Sequence, residues 1–229
     1  MMKGTAYGIG VGSGDPELMT LKAVRLIREN DVIAVPGKSA EDSVAYKIAV
    51  QNVPELAEKI LLPINMPMTK DENILRNEHK KGAESIEKYL DIGKNVVYLT
   101  LGDPTVYCSF SYLQRILESD GYNVELVSGV TSFCAAAARL NIPLVEKDEE
   151  LHIFPNVPDK NDFDNTLGTK VIMKSGRYMS DIKEVLKHTD CEIFAVENCG
   201  MSSEKIYNSI NEIPDKTGYF SIVITENIK

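Results

Sequence analysis

An α/β fold with open, mostly parallel sheets flanked by helices is predicted by three features of this 229-residue sequence. Short apolar runs alternate with amphipathic stretches along almost the whole chain, which is the pattern of strands separated by helices. Two of the apolar runs lead into the same Gly-Asp-Pro sequence, at 14–16 and 102–104. Hydrophobic residues make up 43% of the chain, which is enough for a substantial core.

The predicted elements follow one another in strand–helix order from the N-terminus. A strand over 6–11 precedes a helix over 18–28 with apolar residues at helical spacing, and a strand over 32–35 ends at Pro36. The later elements are a helix over 71–91, a strand over 95–101, a helix over 109–117, a strand over 123–127, a helix over 130–140, strands over 151–154, 170–173 and 192–196, a helix over 202–210 and a strand over 219–225. A polar turn at 118–121 precedes a second strand–helix series, so we expect two lobes, over residues 1–119 and 120–229.

Charge and cysteine spacing argue against several classes of protein. The net charge is -9, whereas nucleic-acid binding needs a basic face, and the basic run at 79–81 is predicted to be the solvated side of a helix. The four cysteines and three histidines lack paired spacing, so we expect neither disulfides nor a protein-bound metal. Without a secretory signal or an apolar run of about 18 residues, the sequence predicts a cytoplasmic protein with no membrane partner.

The first candidate site is the glycine-rich segment 8–16, which follows the first strand. Its four alternating glycines predict a loop where a ligand or another backbone comes close. It does not match the dinucleotide fingerprint G-x-G-x-x-G, whose last position falls on Ser13 or Asp15, and no Walker lysine follows. A tight strand-to-helix turn without a binding role remains the alternative for this segment.

Two further candidates follow later strands. Asp103 lies where parallel sheets place their ligands, and its carboxylate can accept hydrogen bonds from hydroxyl or ammonium groups. Gly129 frees the backbone after the strand over 123–127, and the hydroxyls of Thr131 and Ser132 lie where the next helix starts. A simple turn at Asp103, and helix capping by the two hydroxyls, are the structural alternatives.

Together the three segments resemble the tetrapyrrole methylase family. The order is Y-x-x-G-V-G-x-G-D-P-E-L-x-T-L-K-A, then L-x-L-G-D-P-x-V-Y, then S-G-V-T-S-x-x-A-A-A-A, and the likeness extends over residues 6–221. Within the family, segments 7–12, 143–146, 171–174 and 196–201 are most similar to the branch that methylates C20 of precorrin-2 or cobalt-factor II in cobalamin biosynthesis.

The resemblance implies a two-lobed α/β fold that binds S-adenosylmethionine in the cleft between the lobes, a tetrapyrrole substrate and a homodimer. The implied cofactor-binding residues are Gly102, Asp103, Val106, Tyr107, Thr131, Ser132, Met173, Lys174, Cys199, Gly200, Ser221 and Ile222. The implied substrate-binding residues are Gly12, Ser13, Gly14 and Asp15, with Ser13 standing where many relatives have proline. Lys22, Arg139, Lys174 and Arg177 are candidates to hold substrate carboxylates, and no residue is singled out as a catalytic base.

Three other functions stay open on the sequence. A methylase of the same family could act elsewhere, on uroporphyrinogen-III, on precorrin-4 or as a diphthine synthase. A nucleotide-binding oxidoreductase would instead bind NAD(P) and have no affinity for S-adenosylmethionine. A non-enzymatic binding module would leave the three ordered Gly/Asp/Thr loops unexplained.

Overall fold

The computed structural model of the chain describes residues 2–187, 189 and 191–227. The chain forms two compact units, Met1–Thr131 and Ser132–Lys229. The division lies later than the expected 119/120 because the strand over 123–127 pairs with the first strand of the chain and so belongs to the first sheet.

The first unit is a parallel sheet with helices on both faces. Its strands are β1 (Thr5–Gly10), β2 (Val32–Pro36), β3 (Ile60–Ile64), β4 (Val96–Thr100) and β5 (Asn123–Val127), in the order β3-β2-β4-β1-β5. Its helices are α1 (Leu21–Glu29), α2 (Val44–Asn52), α3 (Glu72–Leu90) and α4 (Phe110–Ser119), with short 3-10 helices at Pro16–Leu18 and Pro54–Glu58. All four strand pairings are parallel, so the carboxyl ends of these strands lie at one edge.

Because successive side chains of a strand point to opposite faces of the sheet, this unit has two apolar cores. On β4, Val97 and Leu99 face a core shared with α1 and α2, whereas Val96 and Tyr98 face a core shared with α3 and α4. Every residue of β4 is buried, as expected for a central strand with helices on both faces. The edge strand β3 contains Pro63, a residue that parallel sheets accept only where one side lacks a partner strand.

Side-chain caps define where three of these helices begin. The hydroxyls of Thr20 and Ser43 accept hydrogen bonds from the third residues of α1 and α2, and the carboxylate of Asp71 accepts two at the start of α3. The predicted solvated run at 79–81 is only partly exposed, because His79 is buried and its ring stacks on Tyr112 of α4.

The second unit is built on a mixed sheet. Its strands are β6 (Leu151–Phe154), β7 (Thr169–Ile172), β8 (Cys191–Glu197), β9 (Lys205–Tyr207) and β10 (Ser221–Asn227), in the order β6-β7-β10-β8-β9. Its helices are α5 (Ser132–Leu140), α6 (Lys160–Asn165) and α7 (Met179–Leu186), with a 3-10 helix at Ser175–Tyr178. Only β6 and β7 are parallel, so the mostly parallel arrangement expected of each sheet holds for the first unit but not for the second.

One predicted helix was wrong. The residues expected to be helical over 202–210 contain β9, which pairs antiparallel with β8 after a loop over 198–204. The loop contains Asn198 and Gly200, both with positive φ, and it returns the chain alongside β8. Pairing along β8 therefore overrides the helical spacing of this short segment. No helix among the described residues is both long enough and apolar enough to cross a membrane.

Candidate functional site

Three glycines pack backbone against backbone at the carboxyl edge of the first sheet. A Cβ added to Gly10 or to Gly129 would clash with the carbonyl oxygen of Gly102. A Cβ on Gly129 would also come within 2.8 Å of the Cα of Gly10. At Gly10, therefore, the close approach predicted for the first glycine loop is to other backbone segments.

Hydrogen bonds join the loops after β1 and β4. The N–H of Gly102 donates to the carbonyl of Gly12 at 2.7 Å, and the N–H of Val11 donates to the carbonyl of Thr100 at 2.9 Å. Gly12 and Gly102 have φ of 77° and 72°, conformations that favour glycine. The two Gly-Asp-Pro segments therefore lie in two loops that are hydrogen-bonded to each other.

Asp103 is a buried carboxylate that connects two of these loops. Its Oδ2 accepts the N–H of Gly129 at 2.9 Å, while its Oδ1 accepts the N–H and the hydroxyl of Thr105 at 2.7 and 2.5 Å. Burial acts to raise the pKa of Asp103, but the hydrogen bonds from Thr105 and Gly129 outweigh it and hold that pKa below its ordinary value. Asp103 is therefore an ionised group with a structural role at the candidate site.

In the expected substrate loop, Gly12 to Asp15, the carboxylate of Asp15 accepts a hydrogen bond from the protein, whereas the hydroxyl of Ser13 is buried. Asp15 accepts the N–H of Glu17 at 2.8 Å and caps the 3-10 helix that follows. The Oγ of Ser13 is buried and has no hydrogen-bond partner among the described residues. The loop thus has the tight-turn geometry of the structural alternative, together with one unused polar atom.

Thr131 does not cap the helix that follows it. Its Oγ1 is buried without a hydrogen-bond partner in the described part of the chain, and Ser132 is the first residue of α5. A buried hydroxyl without a partner is uncommon because it costs about 1–3 kcal/mol. Of the two roles considered for the Thr131 hydroxyl, ligand binding therefore fits better than capping.

Tyr107 adopts a strained conformation beside Asp103. Its φ is 48°, in the left-handed region that non-glycine residues rarely occupy, and its side chain is 52% exposed. Val106, directly before it, is half-buried. This segment presents an aromatic ring to solvent at the same loop that Asp103 fixes.

The other implied cofactor residues lie together at one end of the second sheet. The antiparallel strand β10 begins where its neighbours end, because Ser221 pairs with Glu197 of β8 and Val223 pairs with Ile172 of β7. Three pairs of residues are brought together there, namely Met173 and Lys174 after β7, Cys199 and Gly200 after β8, and Ser221 and Ile222 at the start of β10. The sequence could not show this convergence, since it depends on the antiparallel pairing.

Two carboxylates that the sequence did not single out hold this end of the sheet. The Oε2 of Glu204 accepts the N–H of Gly200 at 2.8 Å, and its Oε1 accepts the Nε–H of Arg139 at 2.6 Å. The carboxylate of Glu197 accepts the N–H of Gly218 at 2.7 Å. In the sequence, Glu197 is marked by its place after the apolar run 193–196 and by lying in segment 196–201, which resembles the C20 branch. Arg139, a candidate for holding substrate carboxylates, is engaged by Glu204.

The described residues contain no group of three or more His, Cys, Asp or Glu side chains placed to hold a metal ion. All four cysteines are free thiols. The absence of a protein-bound metal stays a prediction.

Comparison with known proteins bears on the whole chain. The family of tetrapyrrole (corrin/porphyrin) methylases matches residues 5–214. A probable cobalt-precorrin-2 C(20)-methyltransferase of Methanocaldococcus jannaschii is 36% identical over 97% of this chain and 96% of its own length. A precorrin-2 C(20)-methyltransferase of a Sinorhizobium species is 28% identical, over 99% of this chain and 96% of that protein.

Solved structures share the fold. The uroporphyrin-III C-methyltransferase of Thermus thermophilus, crystallised with S-adenosylhomocysteine, aligns with a TM-score of 0.71 over 97% of both chains at 23% identity. This confirms the predicted α/β tetrapyrrole-methylase fold, with the second sheet mixed. With the family matching nearly the full length, the chain belongs to the tetrapyrrole (corrin/porphyrin) methylases.

Proposed function

We propose that this methylase transfers a methyl group from S-adenosylmethionine to C20 of precorrin-2 or of cobalt-factor II. The observation that carries the proposal is the likeness to two C20-methyltransferases, which spans nearly the entire length of both partners in each comparison. The segments that suggested the C20 branch from sequence lie within the matched region.

The residues at the two sheet ends are suited to the cofactor. The unpartnered hydroxyl of Thr131 leaves a buried hydrogen-bonding group for a polar ligand. The loop that carries Val106 and Tyr107 is fixed by Asp103, so its backbone is preorganised. We assign cofactor binding to the residues implied by the resemblance, Gly102, Asp103, Val106, Tyr107, Thr131 and Ser132 in the first unit and Met173, Lys174, Cys199, Gly200, Ser221 and Ile222 in the second.

The reaction requires the protein mainly to position the methyl donor and the macrocycle relative to each other. When bound, S-adenosylmethionine supplies an electrophilic methyl group on a sulfonium, and C20 of the electron-rich macrocycle is the nucleophile. Holding two reactants in line can lower a barrier by about 7–11 kcal/mol in well-oriented cases. Rigid glycine loops joined by backbone hydrogen bonds serve this purpose, and backbone carbonyls can add weak C–H···O contacts to a methyl group.

The substrate is assigned to the loop that contains Gly12, Ser13, Gly14 and Asp15. In this loop the carboxylate of Asp15 is used as a cap, which leaves the Ser13 hydroxyl as the polar group that could meet a ligand after a change of rotamer. We assign no residue as the base that takes the C20 proton. Cytoplasmic location and a homodimer are part of the proposal, the latter on the family resemblance.

Product analysis tests the proposal. The purified protein is incubated with S-adenosylmethionine and either precorrin-2 or cobalt-factor II, and the products are analysed by mass and absorption spectrum. We expect the mass to rise by one methyl group. No change in mass with either substrate, combined with binding of NAD(P), would favour the oxidoreductase instead.

A further inference from the structure

A buried carboxylate ends strand β8 in the second unit. Glu197 is 7% exposed, and its Oε1 accepts the N–H of Gly218 at 2.7 Å. Its Oε2 accepts the hydroxyl of Tyr207 at 3.1 Å and lies 3.7 Å from the Nζ of Lys205. One side chain therefore connects the end of β8, strand β9 and the loop that leads into β10.

The loop before β10 is organised around Gly218. The hydroxyl of Ser221 lies 2.8 Å from the carbonyl oxygen of Gly218 and 2.9 Å from the Oγ1 of Thr217. A Cβ on Gly218 would lie 2.9 Å from the Oε1 of Glu197, so glycine at this position lets the carboxylate reach the backbone. Glu197 thus fixes the backbone three residues before Ser221.

Gly218 also contacts the segment after β7. A Cβ on Gly176 would clash with the carbonyl oxygen of Gly218, so the two backbones touch. The N–H of Thr217 donates to the carbonyl of Gly176 at 3.3 Å, and the hydroxyl of Ser175 donates to the carbonyl of Ser221 at 2.9 Å. The position of Gly218 therefore affects the segments on both sides of β10.

We propose that Glu197 is a positioning residue for the cofactor site, acting through its hydrogen bond to Gly218. This rests on the proposed function, which assigns the cofactor to the segments after β7, after β8 and at the start of β10. Glu197 directly precedes the Asn198–Gly200 turn, and through Gly218 it sets the other two segments. The bond that matters needs an acceptor at the Oε1 position, whereas a negative charge is not required for it.

Binding of S-adenosylhomocysteine by calorimetry separates these requirements. Glu197→Gln keeps an amide oxygen at the same reach, so we expect its dissociation constant to stay within about threefold of wild type. Glu197→Asp keeps the charge but is one methylene shorter, and Glu197→Ala has no acceptor. We expect Glu197→Ala to bind about tenfold more weakly and Glu197→Asp to fall between Ala and Gln. Glu192→Ala, at an exposed position of the same strand, is the matched control and should bind like wild type.

The order of the dissociation constants of the variants tests whether Glu197 positions the cofactor site. Circular dichroism and melting first establish that each variant is folded at the temperature of the titration. Binding by Glu197→Ala within twofold of wild type would overturn the proposal, and so would binding by Glu197→Gln as weak as that of Glu197→Ala. If Glu197→Ala does not fold, Glu197→Asp binding as tightly as Glu197→Gln would overturn it. Wild-type protein that binds no S-adenosylhomocysteine would refute the proposed function itself.

Discussion

The Oδ2 of Asp103 accepts the backbone N–H of Gly129 at 2.9 Å and thereby ties the loop after β4 to the loop after β5. The same two loops touch through Gly102 and Gly129, where there is no room for a Cβ. A carboxylate predicted to face a ligand is thus engaged with the protein itself. Any contribution of Asp103 to cofactor affinity must include this positioning of the loops.

Replacing Asp103 with Asn should weaken S-adenosylhomocysteine binding while the chain stays folded. The amide keeps one acceptor for Thr105 but turns an N–H₂ donor toward the N–H of Gly129. The hydrogen bond from Gly129 to the charged group is worth about 1.5–3 kcal/mol, which limits the expected loss of affinity to about tenfold to a hundredfold. Calorimetry on the folded variant measures the loss, with the exposed Asp148→Asn as the control. Wild-type affinity in Asp103→Asn would contradict the assignment.

The stability contributed by Asp103 should depend on pH. The native pKa is held below the ordinary value of 3.8, so the unfolded state binds the proton more readily than the native state. The contribution is therefore fully present above that ordinary value and is lost as the pH falls through the depressed native pKa. Urea unfolding of wild type and Asp103→Asn at a series of pH values should show their difference in unfolding free energy narrowing toward low pH. A difference that widens on acidification would be inconsistent with this origin.

Gly129→Ala should destabilise the first unit more than Gly121→Ala does. The new methyl group at residue 129 would clash with backbone atoms of Gly102 and Gly10, which no rotamer change can relieve. At Gly121 nothing lies within 4 Å, so alanine there carries only the cost of its φ of 79°, about 1–2 kcal/mol. Overpacking typically costs about 1–3 kcal/mol, and the clash of the new Cβ with the carbonyl oxygen of Gly102 puts Gly129→Ala at or above the upper end of that range. Thermal melting of the two variants compares them, and equal melting temperatures would show that the loops are less tightly packed than the structure indicates.

The sequence predicts individual strands and helices well, but it predicts less well which strands pair with one another. Strands β1 and β4 are apolar runs with clear boundaries, and their parallel order follows from the helices between them. The conformation of residues 202–210 depends instead on the pairing of β9 with β8, which no local sequence pattern reveals. Helix α2 and strand β3 were not predicted, and they fill the stretch between Gly37 and the next predicted helix.

The candidate site shows the same limit. A close approach was predicted for the first glycine segment, and the structure shows one at Gly10, but the sequence could not tell a ligand from a backbone as the neighbour of Gly10. For Asp103, Oδ2 is used by Gly129 and Oδ1 by Thr105, contacts that appear only once the strands are assembled. Glu197 was missed for the same reason, because its partner Gly218 lies 21 residues further along the chain.

A homodimer is expected in solution from the family resemblance. Light scattering coupled to size exclusion should give about twice the chain mass of 25.4 kDa at micromolar concentration. Dilution over a hundredfold range serves as the control for weak self-association. A particle of single-chain mass throughout that range would contradict the expectation.

The position of the transferred methyl group distinguishes a C20-methyltransferase from a methylase that acts elsewhere on the macrocycle. Precorrin-2 and cobalt-factor II are each incubated with the protein and S-adenosylmethionine that carries a ¹³C-labelled methyl group, and the label is located by NMR. We expect one labelled methyl group on C20, with the cobalt-containing substrate converted faster. Faster turnover of the metal-free substrate would reverse only that preference. Label on a pyrrole carbon, or no label on either substrate, would contradict the claim that this chain is a C20-methyltransferase.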